Sequence, residues 1–181
     1  MDKNKLRKIR VWLCITATGK SSLVRNDERF VDADIEESDY KYGTDSSNMS
    51  EQKLGELQGS KREIVNSDSE EYIHSLIIEH IKNGKIVLNA THSHMFNFLD
   101  EQKIPYGIVQ YHPSLIGYYR DRMKNRGNSD EFVDAMLAKR NESYERHKNR
   151  NAAVVFELEE GQFLSDLMWD IFGKPQNQEK P

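Results

Sequence analysis

The sequence predicts an α/β protein in which an open, parallel, five-stranded sheet lies between two layers of helices. Short apolar segments alternate with amphipathic helical segments, in the order β-α-β-(polar stretch)-α-β-α-β-α-α-β-α. The segment 85–91 is apolar enough to be a central strand of a parallel sheet. The polar stretch at 35–70 carries few aliphatic residues and cannot contribute to a core; it is a lobe or loop over a site, or a surface insertion.

Composition and charge limit the classes of function. The 181 residues, 36% hydrophobic and 31% charged, fit a single domain over 1–173 followed by a polar, disordered tail at 174–181. The net charge of −4 does not favour nucleic-acid binding, and one cysteine excludes an internal disulfide. Without a signal peptide or an apolar run near ~18 residues, we expect a cytoplasmic protein that does not span a membrane. A homodimer is left open.

The individual elements follow from residue spacing. Five segments are short runs of apolar residues typical of strands: 9–14, 29–34, 85–91, 104–111 and 152–158. Six segments carry the residues of a helix, most with apolar residues at three- and four-residue spacing: 20–25, 70–83, 93–102, 114–125, 130–149 and 163–172. Gly84 and Gly173 are the expected stops of two helices, and Ser129 is the expected cap of another. The basic residues before position 10 are interpreted as a solvated segment leading into the first strand.

The end of the first strand carries a phosphate-binding pattern. Residues 14–21 match G-x-x-x-x-G-K-[ST] except at the first position, which is Cys14. In this motif, backbone N–H groups surround phosphate oxygens, the lysine reaches the β- and γ-phosphates, and the hydroxyl group binds Mg²⁺. Lys20 and Ser21 would have these roles, unless the segment is a plain strand-to-helix turn with a solvated lysine. The residues expected to contact the nucleotide are Thr16, Ala17, Thr18, Gly19, Lys20, Ser21 and Ser22.

Two acidic residues end the second predicted strand. Asp32 and Asp34 alternate, so they face the same side of an extended chain, at the sheet edge where α/β proteins bind ligands. The functional interpretation is a contact to an acceptor hydroxyl or an outer contact to Mg²⁺, and Asp34 is the preferred residue. The alternative is a polar strand end that Asp34 caps.

A basic cluster lies around the junction of the two helices at 114–150. Charge runs usually form a solvated face. Guanidinium groups near a hinge also clamp transferring phosphates when a lid closes. We assign that role to Arg122 and Arg126, and the solvated face to Lys139, Arg140 and Arg146.

Four segments in this order resemble the P-loop nucleoside monophosphate kinase-like family: 19–22, 30–34, 86–92 and 119–127. The resemblance is to adenylate kinase-like proteins, particularly the small deoxynucleoside monophosphate kinases of bacterial viruses, and it covers about residues 8–172. It implies that 35–70 is a monophosphate-binding lobe and that the helices at 114–150 form a lid. It also implies transfer of the γ-phosphoryl group from ATP, with Mg²⁺, to a nucleoside monophosphate. The expected acceptor is a deoxynucleotide, with or without a modified base.

The resemblance also assigns residues. Lys20 and Ser21 match the phosphate and Mg²⁺ contacts, Asp34 matches an acidic residue near acceptor and metal, and Arg122 and Arg126 match lid arginines.

Two positions depart from the family's glycines, namely Cys14 and Ala17. A Cβ atom disfavours positive φ and crowds the approach of the backbone to phosphate. These departures leave open a non-catalytic nucleotide-binding protein. Two further alternatives, which do not depend on these positions, are a kinase of a modified base hydroxyl in DNA and a plain structural domain.

Overall fold

The structure, a computed structural model, describes residues 2–33, 40–41, 53, 63–64 and 69–175. Asp34, most of the predicted lobe at 35–70 and the tail from residue 176 lie outside the described residues. The described strands are β1 (Val11–Cys14), β2 (Phe30–Asp32), β3 (Tyr40–Lys41), β4 (Glu63–Ile64), β5 (Ile86–Ala90), β6 (Tyr106–Tyr111) and β7 (Val154–Leu158). The described helices are α1 (Lys3–Leu6), α2 (Lys20–Asn26), α3 (Ser69–Lys82), α4 (Ser93–Glu101), α5 (Ile116–Asn125), α6 (Asp130–Lys148) and α7 (Leu164–Phe172).

The main sheet confirms the predicted α/β class. Its five strands are all parallel and stand in the order β2-β5-β1-β6-β7, so the first strand is in the middle. The short strands β3 and β4 pair with each other, antiparallel, in a separate ladder. All four residues of β1 are completely buried, as expected for a central strand between two helix layers.

The two faces of the sheet follow from the alternation of side chains along each strand. Trp12 and Cys14 of β1 face one apolar cluster, and Val11 and Leu13 face another. The first cluster receives side chains from α1, α2 and α7, and the second receives them from α3 and α4. The expectation of helices on both sides of the sheet is therefore confirmed.

The structure differs from the sequence prediction mainly in two segments, one before β1 and one after β6. The basic segment before β1 is not simply solvated, because Lys3–Leu6 form a helix that Asp2 caps and that buries Leu6. At the other end, a 3₁₀ turn at Pro113–Leu115 precedes α5. The predicted cap of α6 is confirmed, since the Phe132 N–H donates to Ser129 Oγ at 3.2 Å.

A third apolar cluster lies beyond the carboxyl ends of β1 and β6. It joins Ile15 and Ala17, which follow β1, to Tyr111 at the end of β6 and to buried residues of the two helices at 114–150. The helix residues are Tyr119, Met123, Val133 and Leu137. Two ion pairs, Arg120–Asp134 at 2.7 Å and Lys124–Asp130 at 2.9 Å, tie α5 to α6 on the outside. The predicted lid helices thus pack directly on the segment after β1.

Gly107 in β6 shows how closely the central strands are packed. It pairs with Trp12, and a Cβ atom built on Gly107 would lie 2.4 Å from the Cε3 and Cζ3 atoms of the Trp12 ring. The indole is fully buried and cannot move into solvent. Only glycine leaves room for this ring above the strand.

Gly107→Ala should therefore lower the free energy of unfolding by roughly 1–3 kcal/mol, the usual cost of overpacking a core. Gly117→Ala is the matched control, because nothing lies within 4 Å of a Cβ atom there and the residue is in α5. It should stabilise by roughly 0.5–1 kcal/mol through helix propensity. Urea unfolding of the two variants measures both effects, and equal effects would show that Trp12 has room to move.

Candidate functional site

The segment 15–19 connects β1 to α2 at the carboxyl edge of the sheet. In the sheet, β5 lies on one side of β1 and β6 on the other. The strands β2 and β5 lie on one side of β1, and the later strands β6 and β7 lie on the other, so the strand order reverses at β1. Ligands of open α/β sheets bind at such a reversal. The segment is anchored at both ends: the Ile15 N–H donates to Val109 O at 3.2 Å, and the Leu164 N–H donates to Thr18 O at 2.9 Å.

The backbone amide groups of this segment make few hydrogen bonds within the described part of the chain. Ala17 and Gly19 have left-handed φ angles of 65° and 100°, and the Thr18 hydroxyl donates to Ile15 O at 2.9 Å. In the described part of the chain, the N–H groups of residues 16–19, Ser21 and Ser22 donate no hydrogen bond to another residue. Consecutive unpaired amides in a left-handed turn form a concave site for an anion.

The two positions that depart from glycine behave differently. Cys14 is the last residue of β1, completely buried and paired with Ala90 and Val109, and its φ is not positive. Ala17 does adopt the left-handed conformation, at a cost of about 1–2 kcal/mol for a residue with a Cβ atom. Its methyl group is buried in the third apolar cluster, which offsets part of this cost.

Lys20, the first residue of α2, reaches across to the end of β2. Its Nζ lies 3.0 Å from Oδ1 and 3.1 Å from Oδ2 of Asp32, and the two side chains are 14% and 24% exposed. The preferred acidic residue, Asp34, lies outside the described residues. Asp32 is therefore the described acidic side chain that contacts the predicted phosphate lysine.

The hydroxyl-bearing residues around Lys20 are open to solvent. Ser21 and Ser22 are exposed in the first turn of α2, and Thr16 is exposed with its Oγ1 at 3.8 Å from Met136 Sδ of α6. Thr18 is buried instead, with its hydroxyl bonded to the backbone. The loop thus presents three accessible hydroxyl groups beside its unpaired amides.

Arg122 reaches the loop through an aromatic ring. Its guanidinium lies 4.0 Å from the ring centroid of Phe163, and a Cβ atom built on Gly19 would lie 3.4 Å from Cδ1 of the same ring. The sequence interpretation missed Phe163, which it placed at the start of the last helix without a role. Arg126 ends α5 one turn after Arg122, and its Nε is buried with no hydrogen-bond partner among the described residues.

Arg140 is not part of a solvated face, which corrects the sequence interpretation. It is 4% exposed, donates a hydrogen bond to the Tyr111 carbonyl and lies over the Tyr111 and Tyr144 rings. Its Nε and Nη1 have no hydrogen-bond partner in the described structure, and desolvation lowers the pKa of the guanidinium. The available signal was periodicity. Arg140 lies on the buried stripe of α6, which is formed by Val133, Leu137, Arg140, Tyr144 and His147.

His147 continues the same stripe below Arg140. It is 1% exposed, and its Nδ1 lies 3.2 Å from Gln110 Oε1 of β6, so a neutral ring would donate to this amide oxygen. Burial lowers the pKa of His147 to about 4, and nearby guanidinium groups, Arg140 first among them, act in the same direction. Helix α6 is therefore anchored to β6 through a neutral imidazole.

The comparisons with known proteins do not assign this site. No protein-family model matches the chain, and no curated protein matches it. Among the described residues, no helix is both long and apolar enough to cross a bilayer. The same residues contain no group of three or more His, Cys, Asp or Glu side chains that could hold a metal ion.

The buried imidazole predicts a dependence of stability on pH. As pH falls from 6.5 to about 4, the unfolded chain takes up a proton at His147 but the folded chain does not. Stability from this residue is complete above pH 6.5, falls across that window by up to about 3 kcal/mol, and is constant below it.

His147→Gln should flatten the profile between pH 6.5 and 4, and His80→Gln on α3 is the control. Urea midpoints at half-unit pH steps give the comparison. Parallel profiles for wild type and His147→Gln would mean that His147 titrates in the folded protein as it does in the unfolded chain.

Proposed function

We propose that the protein has a P-loop kinase-like fold and transfers the γ-phosphoryl group of ATP to a nucleoside monophosphate. The expected acceptor is a deoxynucleotide, unmodified or base-modified. The observation that supports this most is the row of amides at 16–19, Ser21 and Ser22 that donate to no described residue and adjoin the ammonium group of Lys20. Such a row at the carboxyl edge of a parallel sheet suits a chain of phosphate groups.

Phosphoryl transfer requires alignment and positive charge more than covalent chemistry. In the proposed mechanism, the loop amides hold the phosphate chain in place and Lys20 neutralises charge on its outer groups. Arg122 and Arg126 of the α5 segment add positive charge when α5 and α6 close over the loop. This closure also excludes water. Arg140 adds a third guanidinium, 4.9 Å from the ring centroid of Tyr111, and that ring stacks on Tyr119 at 3.5 Å.

The residues present fit a magnesium ion that arrives with the nucleotide. Mg²⁺ in kinases keeps several waters and takes most other ligands from phosphates, so one or two protein oxygens suffice. The Ser21 hydroxyl is exposed at the end of the loop and would hold the ion. When bound, the ion neutralises charge that develops on the phosphates during transfer.

One observation favours the alternative of a nucleotide-binding protein without turnover. Ala17 adopts a left-handed conformation that glycine would adopt without strain. A non-catalytic protein would be stabilised thermally by ATP but would form no ADP with any acceptor.

Lys20→Ala should lower kcat by on the order of 10²-fold or more, because it removes a charge that acts on the transferred group. Lys5→Ala, an exposed residue of α1, is the matched control and should keep the wild-type rate. A panel of ribo- and deoxynucleoside monophosphates with ATP and Mg²⁺, monitored for diphosphate product, measures the rate. Duplex DNA containing hydroxymethylated bases, incubated with radiolabelled ATP, tests the polynucleotide alternative in parallel.

Full kinase activity in Lys20→Ala would refute this mechanism. If labelled product forms on DNA and on none of the monophosphates, the acceptor is a base hydroxyl in DNA and not a nucleoside monophosphate.

A further inference from the structure

The contact between Asp32 and Lys20 is a partly buried charge pair. Both carboxylate oxygens lie within 3.1 Å of the ammonium nitrogen, and neither side chain is more than 24% exposed. Water screens such a pair less than a pair on the open surface. The pair is therefore an appreciable interaction that any ligand of Lys20 has to replace.

The backbone fixes the Asp32 side of this pair. Asp32 is in register with Leu88 in the β2–β5 ladder, and the Ala33 N–H donates to Leu88 O at 2.9 Å. The carbonyl of Ala33 also accepts a hydrogen bond from Asn89 Nδ2 at 2.9 Å. Lys20, in contrast, carries its charge at the end of a flexible four-carbon chain. The ammonium is the mobile partner, and the carboxylate is the fixed one.

A phosphate on the loop amides competes for the same ammonium. If Lys20 turns to the phosphate, Asp32 loses its contact with the ammonium group and faces a ligand of the same charge, which is unfavourable at short range. A divalent cation on the phosphate removes this conflict, because it lowers the negative charge of the ligand that Asp32 faces.

We propose that Asp32 is an internal competitor for Lys20, which makes the loop bind a polyphosphate together with a divalent cation much better than the polyphosphate alone. This inference rests on the proposed function, because it assigns the loop a phosphate ligand. Asp32 is a positioning residue here: it acts through Lys20 and makes no bond to the transferred group. The sequence alone favours Asp34 over Asp32 for a functional role.

The test is calorimetric binding of inorganic tripolyphosphate and of ATP, each in EDTA and in excess Mg²⁺. Asp32→Asn should bind metal-free tripolyphosphate about tenfold more tightly than wild type, since a hydrogen-bonded charge pair no longer has to be broken. The enhancement by Mg²⁺ should shrink by a similar factor. Asp170→Asn, which removes the exposed carboxylate paired with Lys3, is the control and should match wild type.

Other outcomes separate the two proposals. Unchanged or weaker metal-free binding by Asp32→Asn, in a protein that binds tripolyphosphate, overturns the inference and leaves the proposed function standing. If Asp32→Asn binds metal-free tripolyphosphate more tightly as predicted, but the wild type transfers phosphate to no monophosphate, the inference is supported and the proposed kinase activity is refuted. A wild type that binds neither ligand in either condition refutes both. Asp32→Ser, which has the same expected result, serves as a second variant if Asp32→Asn does not fold.

Discussion

The central position of β1 is the constraint on which the candidate site depends. Because β5 and β6 both pair with this strand, the segment 15–19 leaves the sheet with a neighbour on either side. The bonds of Ile15 to Val109 and of Leu164 to Thr18 then hold it from both sides of the turn. The amides between these anchors have no acceptor among the described residues, and unpaired amides favour an anion.

Positive charge collects around that segment although the chain as a whole carries −4. Arg122 stacks on Phe163 next to Gly19, and Arg140 is buried under Tyr111 with no ion pair to a described carboxylate. Burying a guanidinium costs free energy that the aromatic rings and one carbonyl bond return only in part. The phosphate ligand that we propose would bring negative charge to this part of the molecule and acceptors to the loop amides.

The sequence predicts the strands and helices well because each rests on a local pattern. The apolar run of β1, the alternation along the sheet and the serine cap of α6 are all readable within a few residues. The pair of Lys20 and Asp32 is different: it depends on β2 lying beyond β5, a strand order that local patterns do not encode. The charge of Arg140 predicts an exposed side chain, but its position on the buried stripe of α6 determines where it lies. Phe163 carries no local signal, since its contact with Arg122 joins elements 41 residues apart. The roles predicted for Asp34 near the acceptor, for Arg126 in the lid and for Ser21 at Mg²⁺ stay predictions.

Backbone amide spectra test the central claim most directly, because they detect the groups that are proposed to bind phosphate. In a titration of ¹⁵N-labelled protein with a non-hydrolysable ATP analogue and Mg²⁺, the largest and saturable shifts should fall on the amides of residues 16–22. Shifts confined elsewhere, for example to His74 and Phe98 in the groove between α3 and α4, with residues 16–22 unmoved, would contradict it.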